Sequence, residues 1–113
     1  MSDLQGDALR TEIDIAHREL ITAAALIKIG KDNLGPAEWD DDAISERANA
    51  INEEIDEYGG DDDEMRKLLI TLKGYLEKAL PILIKYSENP DASHVGLNYG
   101  FRLHQELIAS TRS

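Results

Sequence analysis

Glu53, Glu54 and Glu57 are the residues of this chain best spaced to do chemistry. Side chains three and four positions apart on a helix project together, so these carboxylates could hold a hard cation such as Mg²⁺. Two aspartate triplets, Asp40-Asp41-Asp42 and Asp61-Asp62-Asp63 with Glu64 following, raise the question of Ca²⁺. An EF-hand loop needs acids at alternating positions, a central glycine and a distant glutamate, and neither triplet has that pattern. Tandem helix N-caps account for both, because an aspartate there accepts from free amides and complements the helix dipole. His17, His94 and His104 include no pair at i, i+4 suited to a metal. There is no nucleophile elbow and no phosphate-cradling glycine loop. The absence of cysteine excludes disulfides, thiolate zinc sites and cysteine nucleophiles together.

Glu53-Glu54-Ile55-Asp56-Glu57 has E-E-x-x-E spacing and resembles the acidic motif of the all-α MazG-like NTP pyrophosphohydrolases. That resemblance implies Mg²⁺-dependent nucleotide hydrolysis on Glu53, Glu54 and Glu57, with a second E-x-x-D on a following helix completing the cage. The next helical segment here has one mid-helix acid, Glu77, and no aspartate three residues on. Glu88-x-x-Asp91 has the spacing but straddles Asn89-Pro90, where a helix should break. Arg10 and His17 share the R-x6-H spacing of some helical RNases, which act in basic, RNA-facing surroundings. A solvated acidic face is the better reading of the glutamates, and a hydrogen-bonded boundary residue the better reading of His17. No catalytic residue, metal or cofactor is assigned.

The charge distribution says more. Between Glu38 and Glu64 lie thirteen carboxylates against Arg47 alone, a net of −12, while the whole 113-residue chain carries −11. One quarter of the sequence therefore supplies essentially all of the charge. Such a block repels itself and contributes nothing to a core, so it calls for a reason. Salt adaptation would spread acids over the whole surface, which the near-neutral remainder contradicts. A docking face for a basic partner is favoured over plain solvation. Direct binding of nucleic acid or of anionic lipid is disfavoured by the sign of the charge.

Positioning those residues requires helices. Alanine, leucine, isoleucine and glutamate dominate and valine occurs once, a bias against pleated sheets. The expected architecture is all-α, a single domain forming an antiparallel bundle of about four helices. The first runs from about Asp3, after a Ser2/Gln5 capping box, to Ile29, with Gly30 as its stop. Leu9, Ile13, Ala16, Leu20, Ala24 and Ile27 form one apolar face. Ala8, Ile15, Thr22, Leu26 and Ile29 form another on roughly the opposite side, which suggests a homodimer through this helix.

Residues 31–39, with Gly35-Pro36, read as a loop. The second helix starts at Asp40–Asp42 and ends at Tyr58 before Gly59-Gly60, with Ile44, Ala48, Ile51, Ile55 and Tyr58 as its seam. The third follows Asp61-Asp62-Asp63, burying Met65, Leu68, Leu69, Leu72, Leu76, Ala79, Leu80 and Leu83; Pro81 predicts a kink or restart. A last helix from Asn89-Pro90-Asp91 to about Ser110 competes with a strand reading of Val95, Leu97, Tyr99, Phe101 and Leu103.

The N-terminus has neither a basic nor an apolar stretch, and the longest apolar run is too short for a bilayer, so a soluble, cytoplasmic protein is expected. The leading expectation is a non-enzymatic binding protein that occupies a basic protein surface, as an inhibitor, an immunity-type protein or a nucleic-acid mimic does. Its contact residues would be Trp39, Asp40, Asp41, Asp42, Glu46, Glu53, Glu54, Asp56, Glu57, Asp61, Asp62, Asp63 and Glu64. Trp39 and Tyr58 would be apolar anchors, although a plug over the end of the bundle is the favoured role of Trp39. A Mg²⁺-dependent nucleotide hydrolase and a self-assembling structural protein are the alternatives.

Overall fold

A computed structural model describes residues 6–58, 60–89 and 104–106 of the chain. The described chain is all-α. Three long helices account for nearly all of it: α1 (Gly6–Leu34), α2 (Asp41–Tyr58) and α3 (Asp62–Glu88). Each contacts the other two, and α1 packs most extensively on α3. No helix among the described residues is long and apolar enough to cross a membrane.

The face of α1 expected to be inward is buried throughout, from Leu9 and Ile13 to Ala24 and Ile27. It meets Ile44, Ala48 and Ile51 of α2 and the Leu68–Leu83 face of α3 in one core. Ile55 and Leu80 are only partly buried against that core. The second apolar strip of α1 stays outside: Ile15 is 42% and Ile29 39% exposed. Leu26, of the same strip, is partly buried against the core.

The end of α1 differs from expectation. Gly30 is interior to the helix, which continues to Leu34, and the connection is shorter, Gly35 to Asp40. Gly35, at φ 118°, makes the left-handed turn instead. Gly30 serves packing: a Cβ there would lie 2.6 Å from the Tyr86 ring. Tyr86 then donates its hydroxyl hydrogen to the Gly35 carbonyl at 2.8 Å, tying α3 to the turn after α1.

The expected caps are present. Asp40 Oδ1 accepts from the Ala43 amide at 3.1 Å, and Asp61 Oδ1 from the Asp63 and Glu64 amides at 3.0 and 3.3 Å. Pro81 does not divide α3, which is one helix from Asp62 to Glu88. Pro81 has no amide to donate to the Glu77 carbonyl, but both residues lie on the exposed side of α3, where that carbonyl is not buried away from solvent, and the helix runs on.

Residues 104–106 are helical and lie between α1 and α3. His104 is 3% exposed, with Nε2 2.9 Å from the Glu19 carbonyl. Gln105 donates to the Leu83 carbonyl at 3.2 Å and to Ser87 Oγ at 2.9 Å. Burial lowers the His104 pKa below its ordinary 6.5, outweighing the hydrogen bond to Glu19 that raises it. The unfolded chain therefore takes up the proton first as pH falls. The stability associated with neutral His104 is whole above about 6.5 and is lost below it, with a limiting slope of about 1.4 kcal/mol per pH unit. Urea unfolding at pH 7.5 and 5.5 should show that loss, and His104→Gln should reduce it.

The last-helix or strand question over residues 91–103 lies outside the described residues, as do His94, Asp91 and the Ser2/Gln5 capping box.

Candidate functional site

The site is built from α2 and its two ends. At the N-terminal end the chain supplies its own counter-ion. Lys31, in the last turn of α1, places Nζ 2.6 Å from Asp41 Oδ1 and 3.6 Å from Asp40 Oδ2. The hydrogen bond between them holds the Asp41 carboxyl below its usual range and raises the Lys31 ammonium above its own. Asp40, Asp41 and Asp42 form the one group of three close carboxylates among the described residues. An ammonium already satisfies two of the three. The triplet thus joins the end of α1 to the start of α2, beyond the capping role expected of it.

At the other end Arg66 pairs with Asp63 at 2.8 Å and Lys67 with Glu64 at 3.3 Å, both within the first turn and a half of α3. Four members of the acidic block are therefore paired to cations of the same chain, and the block is less uniform than its sequence implied. Surface pairs contribute about 0–1 kcal/mol each, but one cation offsets part of the first triplet and two offset half of the four acids at the start of α3.

The middle is different. Asp42, Glu46, Glu53, Glu54, Asp56 and Glu57 are exposed, and none forms an ion pair among the described residues. Asp42, Glu46, Glu53 and Glu57 step by four, seven and four, so they line one ridge along α2 opposite its buried Ile44–Ala48–Ile51 seam. The ridge spans about 22 Å at the helical rise. Asp56 sits about 60° around from it towards α1, and Glu54 a similar distance beyond it towards α3. Glu53, Glu54 and Glu57 do not gather with other acids into a cage among the described residues, and no second acidic motif faces them.

Trp39 is 8% exposed and packs on Tyr75 of α3, ring centroids 5.8 Å apart. Lys78 Nζ lies 4.6 Å above its ring. It is a plug where the loop enters α2, and only an edge of it is available to a partner. The Tyr58 side chain is outside the described set.

One arrangement was not expected from the sequence. Arg10 and His17 of α1, read there as a chance spacing, line a single cleft of about 470 Å³ with Asn52 and Asp56 of α2. The signal that could have found it is the polar set Asn52 and Asp56, two positions off the apolar seam on the side towards α1. His17 itself is the expected bonded boundary histidine, with Nε2 3.0 Å from the Ala48 carbonyl.

Compared with protein-family models, with curated proteins and with solved structures, the chain matches none.

Proposed function

We propose that this protein is a small binding protein that lays the α2 ridge against a basic surface of a partner protein and blocks that surface. The observation carrying this reading is the exposed line Asp42–Glu46–Glu53–Glu57, left without cations of its own while both ends of the block are paired. With Asp56 and Glu54 on its flanks, the ridge carries six carboxylates over about 22 Å, one charge per about 4 Å. A nucleic-acid strand presents one per about 3.4 Å and a duplex one per about 1.7 Å. The ridge thus resembles a single strand in charge density, and a groove shaped for one strand is the basic surface it suits best. Charge steers the encounter, and the Lys31 contact to Asp40 and Asp41 ties the start of the helix to α1 while it docks. Reversing the ridge charges and measuring association rates tests the reading.

The three helices are read as an antiparallel bundle completed by the C-terminal segment, in a cytoplasmic protein. A second reading, self-association through α1, draws on the exposure of Ile15 and Ile29. Sedimentation at high protein concentration should then show a dimer that Ile15→Glu disperses; a wild-type monomer ends that reading. Nucleotide hydrolysis lacks a comparable observation, since Glu53, Glu54 and Glu57 face solvent without a second acidic motif.

A further inference from the structure

The cleft between α1, α2 and the first turn of α3 has an apolar floor and polar walls. Ile13 and Met65 are fully buried at its base and Ile55 is half-buried beside them. The walls carry Asp14 and Asp56, one from each helix, together with Asn52 and His17. His17 is 8% exposed, and its Nε2 is committed to the Ala48 carbonyl. A carbonyl only accepts, so Nε2 donates the hydrogen of this bond. Nδ1 meets no protein partner among the described residues. The acceptors the walls present are the Asn52 carbonyl oxygen and the carboxylates of Asp14 and Asp56. Asp14 shares its charge with Arg18 at 3.0 Å, whereas Asp56 has no ion pair among the described residues.

Sign decides what such a site takes. Arg10 at the rim brings one positive charge, and it already has an interaction of its own. Arg10 and Arg18 match Asp14 and Asp56 in number, so the field of the adjoining ridge decides the sign: an anion is repelled and a cation is drawn in. An alkyl stem would lie on Ile13, Ile55 and Met65, and a planar head with several donors would meet acceptors on both walls.

We propose that this cleft receives an arginine side chain projecting from the basic partner, giving the ridge a specific anchor point. This rests on the docking reading above and adds to it the residue type recognised. Docking by charge alone would accept any basic surface; a guanidinium socket selects among them.

The test uses N-acetyl-arginine methylamide as probe, titrated into the ¹⁵N-labelled full chain. Saturable shifts are expected at the Asn52 side-chain amide and at backbone amides of residues 10–17 and 52–56. The neutral citrulline analogue should produce none, and the lysine analogue should bind about tenfold more weakly, as loss of one charged hydrogen bond implies. Asp56→Asn and Asn52→Leu, both at exposed positions, should each weaken the arginine probe about tenfold. Equal binding of the citrulline analogue overturns the proposal, as do shifts confined to the ridge glutamates. If the cleft is silent while ridge reversal still abolishes docking to a basic protein, the socket fails and the docking reading stands. If the cleft binds the probe while ridge reversal leaves docking unchanged, the docking reading fails instead.

Discussion

Replacing Glu46, Glu53 and Glu57 together by lysine is expected to slow association with an arginine-rich protein such as protamine by about 10- to 100-fold at low ionic strength. Steering depends on charge placed where contact occurs, and these three carboxylates lie on one ridge with no ion pair among the described residues. The plot of log rate against log salt should flatten in parallel, because fewer exposed charges are left to be screened. The dissociation rate should change less, since ridge contacts are solvent-exposed. Net charge alone could imitate the effect. A control variant with Asp7, Asp32 and Glu88 changed to lysine alters the total by the same amount at exposed positions outside the block. Stopped-flow or surface-binding kinetics distinguish them: equal slowing in both variants would mean that the ridge has no special role. Neither set touches the core, so circular dichroism and melting temperature should stay close to wild type.

Gly30→Ala is expected to destabilise the fold by about 1–3 kcal/mol, the range for forcing an extra methyl group into a packed site. The sign is informative. Gly30 lies inside α1 without a positive φ, so helix propensity alone would make alanine stabilising by about 1 kcal/mol. The Tyr86 ring, 2.6 Å from where the new Cβ must go, reverses that. Tyr86 cannot simply swing away, because its hydroxyl is held by the Gly35 carbonyl and its ring is buried against the core. In a Tyr86→Ala background the clash disappears, and the same glycine-to-alanine change should become neutral or stabilising. Chemical denaturation of the four proteins gives the coupling directly. A simple helix-stop role for Gly30 would make the change destabilising in both backgrounds.

The span of the second helix and the start of the third are readable to within a residue or so because their punctuation is chemical and local. Asp40 and Asp61 cap, and the apolar seams run at clean heptad-like steps. The end of the first helix was misread for the opposite reason. Glycine before a lysine looks like a C-terminal signal, yet whether glycine ends a helix or admits an aromatic ring depends on a tyrosine 56 residues away. Pro81 predicts a kink or restart by its missing amide, and α3 continues through it as one helix to Glu88. For the candidate site, periodicity placed Glu46, Glu53 and Glu57 opposite the seam. It could not say that Lys31, Arg66 and Lys67 would partly neutralise the flanking triplets, because pairing across elements is not written in spacing.

What the amino-acid order determined by itself is the helical class, the caps and the confinement of negative charge to one quarter of the chain. These follow from propensity, periodicity and composition, which act over a few residues and need no knowledge of packing. Tertiary structure alone decided which carboxylates stay unpaired, that Trp39 is buried under Lys78, and that Arg10, His17, Asn52 and Asp56 share a cleft. Those outcomes depend on how one helix face meets another, and contacts between residues tens of positions apart are set by the packing of the whole core.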